Sequence, residues 1–228
     1  MGFIKKLFRR PVLLLLLLIG PLLTAGYAVT DDRPLYFAGG RPPRVALTFK
    51  TGYSSRGVTE ILRILEQEGV QATFFLSGNW IKLNPGEARE IVLGGHELGN
   101  CSLSNIPLPY LDEEHLSREI SGFNRLAREL LEYRPRLFSP PLGAYSGLVQ
   151  QAAREEGLSL VLWDVASYDW LSDGDCPYFT RQLLERVRGG SIISFRAGSP
   201  PLARALPGII SSLRERGYEP VTVSQLLY

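Results

Sequence analysis

The sequence predicts an α/β fold built from parallel βαβ units. Short apolar runs of strand length alternate with stretches whose apolar residues recur at helical spacing, from Val45 to Val223. About seven such strands and six or more helices can be marked off, and no internal repeat interrupts them. Hydrophobic residues make up 45% of the chain and charged residues 21%, the balance of a globular core rather than a disordered chain. One barrel or one open sheet would both satisfy this pattern, because strand order is not written in it.

The first ten residues hold Lys5, Lys6, Arg9 and Arg10. From Pro11 to Val29 there is no charge, and Val12–Ile19 is an unbroken run of eight apolar residues. A basic start followed by an apolar stretch is an export pattern. Gly26 and Ala28 suit cleavage after Ala28, yet the run is also about the length that spans a bilayer. Residues 1–29 are therefore expected to be a signal peptide or a membrane anchor, and the protein membrane-anchored or secreted. The formal charge of +2 reflects this leader: without its four cations, 21 basic residues face 23 acidic ones. Such a near-neutral remainder excludes nucleic acid as a partner.

Residues 30–43, rich in Asp, Gly and Pro, read as a linker into the domain 44–228. Strand VALTF (45–49) is followed by a helix over 58–69 that stops at Gly69. Strand ATFFL (72–76) precedes a helix over 86–95, the short strand HELGN (96–100) and a long amphipathic helix over 112–133. Strand RLF (136–138), a helix over 146–157, strand LSLVLWDV (158–165) and a helix over 178–188 come next. Strand SIISF (191–195), a helix over 202–216 and strand YEPVTV (218–223) complete the chain. The two cysteines, Cys101 and Cys176, lie in a chain bound for a compartment that permits a disulfide, but spacing alone does not pair them.

The residues at the strand ends resemble the polysaccharide deacetylase family (the nodulation-type chitooligosaccharide deacetylase domain, carbohydrate esterase family four). RVALTFKTGY (44–53) is similar to that family's VALTFDDGP, QATFFLSGNW (71–80) to KATFFVIG, and GGHELGNCSLSN (94–105) to GHEIGNHSxxH. LFSPPLGAYS (137–146) resembles LFRPPYGAYN, VLWDVASYDW (161–170) the segment ending in Asp-Trp, and GGSIISFRAG (189–198) GSIILLHD. The C-terminal stretch 206–227 is the seventh match in order. The resemblance implies a distorted (β/α)7 barrel with its site at the strand C-termini. It also implies hydrolysis of acetyl groups on chitin-like or peptidoglycan chains with one divalent metal, commonly zinc. One carboxylate and two imidazoles would hold that metal, a second carboxylate would act as base, and a third imidazole as acid.

Carried over residue by residue, that site is mostly replaced. The base and metal-ligand carboxylates fall on Lys50 and Thr51, and the two ligand imidazoles on Cys101 and Asn105. The orienting arginine falls on Ser139 and the acid imidazole on Arg196, while Asp169, followed by Trp170, keeps the family identity. Two neutral oxygen donors and one thiol beside an ammonium make a poor zinc site. No metal or other cofactor is expected. Lys50, Asp169, Trp170 and Arg196 remain as ligand-binding candidates. The expected function is that of a pseudoenzyme binding cell-wall glycan or a protein partner outside the membrane; the alternative is a hydrolase of N-acetyl or ester bonds with a non-standard site, perhaps using Cys101. Lys50 is expected to replace the lost metal, its ammonium near Asp169 and within reach of Asn105; the competing expectation sends Lys50 into water and pairs Asp169 with Arg196. His96 is expected to be a satisfied core histidine, His115 a solvated one, and Trp163 a lining residue.

Overall fold

In a computed structural model of the chain, the described residues are 34–39, 43–51, 57–168 and 176–227. They form an α/β fold whose eight strands make one parallel, half-barrel sheet. The strands are β1 (Arg44–Thr51), β2 (Thr73–Leu76), β3 (Glu97–Asn100), β4 (Leu137–Phe138), β5 (Ser159–Leu160), β6 (Val165–Ala166), β7 (Ile192–Ala197) and β8 (Glu219–Val221). Their order is β5-β4-β3-β2-β1-β7-β6, with β8 joined to the first rungs of β1. The helices are α1 (Val58–Glu68), α2 (Gly78–Leu83), α3 (Pro85–Leu93), α4 (Glu113–Leu131), α5 (Gly147–Glu155), α6 (Cys176–Arg186), α7 (Pro200–Glu215) and α8 (Val223–Leu227).

Most elements lie where apolar periodicity places them, with three differences. The run 158–165 divides into β5 and β6, because Asp164 leaves the ladder to accept hydrogen bonds from Ser191 Oγ (2.9 Å) and Ile192 N (2.8 Å). Gly78–Leu83 forms the short helix α2, started by Ser77, whose Oγ accepts from Trp80 N. The C-terminal strand gives way after Val221 to α8, whose Ser224 binds Glu97 through both its N–H and its hydroxyl. In addition, residues in the expected linker bridge the gap between the sheet's two ends: Leu35 pairs with Val161 and Phe37 with Ser191.

Strand parity divides the interior into two layers. Val45, Leu47 and Phe49 of β1 pack with α1, α6 and α7 in the largest core cluster. There Phe74, Phe49 and Phe195 stack across β2, β1 and β7, with ring centroids 5.0 and 5.3 Å apart. Ala46 points the other way, into a cluster with Phe75, Cys101, Ile192 and Val221. Gly99 lies beside Phe75 in register, and a Cβ there would meet the ring at 2.4 Å, so the glycine makes room for the aromatic. The next inward position on β1 after Thr48 is Lys50.

Asn100, at the end of β3, ties the sheet to α4 and to the loop that follows. Its side chain is fully buried; Nδ2 donates to Ile120 O and to Asn124 Oδ1, both at 3.0 Å, and Oδ1 accepts from Ser102 N at 2.7 Å. Losing these partners leaves buried polar groups unpaired, at about 1–3 kcal/mol per group. Asn100→Ala should therefore lower unfolding free energy by about 2–3 kcal/mol in denaturant titration. A change below about 0.5 kcal/mol would show that the loop 101–105 is held by other contacts.

Candidate functional site

The C-terminal ends of β1, β3, β4 and β7 bring Lys50, Thr51, Cys101, Ser139 and Arg196 to one rim. On β1, Lys50 shares a rung with Phe75 of β2 and with Arg196 of β7. Its Nζ donates to Pro140 O at 3.0 Å and lies 4.5 Å from the centroid of the Trp163 ring and 6.0 Å from that of Phe75. The Trp163 ring is packed by Gly143, where a Cβ would stand 2.8 Å from the indole; with φ of +71°, that position favours glycine twice over. The turn 140–143 thus supplies both an acceptor for the ammonium and the packing of its aromatic neighbour.

Burial pulls the Lys50 ammonium below the ordinary lysine range, an effect the neighbouring Cys101 opposes. Burial likewise pushes the Cys101 thiol up, opposed by Lys50, which leaves the sulfur protonated at neutral pH. Cys101 Sγ is 3.9 Å from Asn105 Oδ1, and Asn105 N donates to Ser102 Oγ at 3.0 Å. Ser139 is buried, its N–H bound to Asn100 O at 2.9 Å. Thr51 pairs in register with Ala197, on the helix-packed side, and its buried Oγ1 has no hydrogen-bond partner among the described residues. Arg196 is exposed.

This donor set does not fit a divalent cation. A protonated thiol, a hydroxyl and an amide offer no formal charge, and an ammonium stands among them. Among the described residues, no three His, Cys, Asp or Glu side chains gather closely enough to hold a metal ion. Asp169 and Trp170 lie outside the described residues, as does the leader 1–29. Lys50 does not run into water as the competing expectation had it; it is part-buried and takes Pro140 O as its acceptor. Pro140 O and Trp163 were not singled out by sequence as partners of Lys50. The matched segments 137–146 and 161–170 contain them, but a backbone carbonyl carries no residue signature.

The remaining expectations fall into place. His96 is buried, its Nδ1 accepts from Ala72 N at 3.3 Å, and burial lowers its pKa. It is a satisfied core histidine. His115 is exposed and pairs with Asp112 at the start of α4. Cys101 and Cys176 are both free thiols. A groove of about 880 Å³ lies at the opposite, N-terminal end of the strands, lined by Arg44, Gln71, His96 and Glu219 among others. Its cation Arg44 is already paired with Glu219 at 2.9 Å. In α/β barrels that end serves stability, and function sits at the strand C-termini.

Comparisons with known proteins agree with the fold. A family model described as polysaccharide deacetylase matches residues 38–161. The chain is 29% identical to protein YlxY of Bacillus subtilis over 197 residues, 86% of this chain and 61% of that protein. It is 29% identical over 183 residues to the peptidoglycan-N-acetylglucosamine deacetylase PgdA of Listeria monocytogenes, 80% of this chain and 38% of that one. The chain thus spans less than two thirds of both relatives. Among solved structures, a CE4 family pseudoenzyme from Bacillus anthracis superposes with a TM-score of 0.83 at 26% identity, over 87% of this chain and 70% of that one. A mutant of that pseudoenzyme, described as having restored enzymatic activity, superposes with the same TM-score.

The depressed pKa of Lys50 fixes the sign of its effect on stability. The unfolded chain holds that proton more tightly, so Lys50 contributes least to stability below its folded pKa and recovers as pH rises toward the ordinary value of about 10.4. Lys50→Met should accordingly be neutral to stabilising at pH 7, by on the order of 1 kcal/mol, with the advantage shrinking as pH rises to about 10. Denaturant midpoints at the two pH values check this; a loss above about 1 kcal/mol at pH 7 would mean that the contacts to Pro140 and Trp163 outweigh desolvation.

Proposed function

This chain belongs to the polysaccharide deacetylase family, and we propose that within it the protein is a pseudoenzyme that binds cell-wall glycan outside the cytoplasmic membrane. The observation that carries the reading is the ammonium of Lys50, part-buried at the position that the family resemblance gives to the catalytic base. Thr51, Cys101 and Asn105 at the ligand positions, Ser139 at the orienting arginine and Arg196 at the acid leave the metal-dependent reaction without a base, an acid or an ion. A positioned acid or base contributes about 10²–10⁴-fold each, so their joint loss removes the ordinary route. The existence of a structurally similar pseudoenzyme supports the idea that this fold is kept without catalysis. The distorted (β/α)7 barrel, with its rim at the strand C-termini, would then serve as a scaffold for recognition.

The location rests on the basic start and the apolar run 11–29, and on relatives named for action on peptidoglycan. A glycan is favoured over a protein partner because the site that remains is a rim of polar side chains and one indole rather than a broad apolar face. The alternative, a hydrolase using Cys101, draws on the electrostatic coupling between Cys101 and Lys50. The raised pKa of Cys101 opposes it, because burial favours thiol over thiolate at that site.

The full chain, purified from membranes or the cell exterior, should carry no stoichiometric divalent metal and release no acetate from peptidoglycan or chitooligosaccharide. Restoring the family side chains (Lys50→Asp, Thr51→Asp, Cys101→His, Asn105→His, Ser139→Arg and Arg196→His together) should confer zinc binding. Near-stoichiometric zinc in the natural chain, or acetate release abolished by chelation, would contradict the pseudoenzyme reading. Release that survives chelation but is lost in Cys101→Ser would favour the cysteine hydrolase instead.

A further inference from the structure

We propose that the rim around Lys50 and Arg196 is a receptor for a carboxylate-bearing glycan, the two cations binding the carboxylate and the Pro140–Gly143 turn the sugar. The inference rests on the reading that this site binds glycan rather than hydrolysing it, and it names the chemistry of the ligand.

Three observations lead to it. The first is register. Lys50 and Arg196 are direct neighbours on β1 and β7, so their side chains leave the same face of the sheet from strands about 4.8 Å apart. Like charges on one rung destabilise a sheet. Among the described residues, no carboxylate lies within ion-pair distance of either cation. The described residues supply this pair with no closing anion.

The second observation is unused donor capacity. The Lys50 ammonium has three N–H groups and one described acceptor, Pro140 O. Arg196 is exposed, with a guanidinium whose five N–H groups match a carboxylate in a bidentate fork. A carboxylate set between them would accept charge-assisted bonds from both. A neutral hydroxyl would leave the charge uncompensated, and an amino sugar would add a third cation.

The third observation is where the backbone is strained. Five non-glycine residues among those described have positive φ: Ser102, Asn105, Glu132, Leu142 and Tyr168. Glu132 caps α4, and the other four follow the C-terminal ends of β3, β4 and β6, around the same rim. A bulky side chain at positive φ is strained and persists where the surroundings over-determine it, as at ligand-binding sites. Leu142 is the clearest case: φ is +58°, and its side chain is held 83% exposed on the turn that also binds Lys50. An apolar side chain turned outward beside two cations suits a ligand with a carboxylate on one edge and an apolar sugar face on the other.

The test uses the full chain and isothermal titration with three soluble tetrasaccharides. One alternates N-acetylglucosamine and N-acetylmuramic acid, whose lactyl groups carry carboxylates. The second is the same chain with its carboxyls reduced to alcohols, and the third is fully deacetylated, cationic chitotetraose. The carboxylated chain should bind at least about tenfold tighter than the reduced one, as expected for a charge-assisted bond. Lys50→Met and Arg196→Gln should each remove most of that difference. Leu142→Ser should weaken both chains alike. Equal affinity for the carboxylated and reduced chains, or preference for the cationic chain, would overturn the inference while leaving a glycan-binding site. Binding of none of the three would also overturn it; the metal and acetate measurements, which do not depend on this ligand, would still decide the pseudoenzyme reading.

Discussion

β1 is the strand on which everything at the rim depends, because it alone pairs with β2, β7 and β8. Its outward residues are locked by the stacked rings of Phe74, Phe49 and Phe195. One position further along, the same register carries Phe75, Lys50 and Arg196 across three adjacent strands. A slip of one residue would exchange these rungs, burying Lys50 among the helices and turning Phe49 into the rim. The aromatic stack therefore fixes more than stability: it sets which side chain stands at the centre of the site.

What stands there is the ammonium of Lys50. A divalent metal is held by carboxylates and imidazoles whose own burial it compensates. Lys50 needs no such ligands, and Thr51, Cys101, Asn105 and Ser139 around it carry no carboxylate or imidazole that would need a metal. Its own desolvation is offset by one backbone carbonyl and one indole face, and only partly, since burial still lowers its pKa. The loop 101–105 is still braced by Asn100, and by Glu119, whose Oε2 accepts from Ser104 N at 2.8 Å.

Much of this was legible in the residues. The alternation of apolar runs placed seven strands close to their observed positions, and the ordered motifs matched the family's site positions to particular residues. The division of 158–165 into β5 and β6 was not legible, because Asp164 breaks the ladder through side-chain bonds to residues 27 and 28 positions away. The bridges made by Leu35 and Phe37 were hidden in the same way: short isolated pairings leave no periodicity. At the site, the motifs located Lys50 but not its partners. Pro140 acts through its carbonyl, and Trp163 through the face of its ring, neither of which a motif assigns to Lys50. Strain at Leu142 was equally invisible, because nothing in a leucine announces a positive φ.

The most direct measurement of whether Lys50 has taken the cation's place is the titration of its side-chain Cε resonance, assigned with Lys50→Arg, with and without excess zinc. The account predicts a Lys50 pKa below the ordinary lysine range, and a resonance that zinc neither shifts nor broadens. A pKa at the ordinary value, or a resonance displaced by one equivalent of zinc, would contradict it: the ammonium would then be solvated, or the metal site still open.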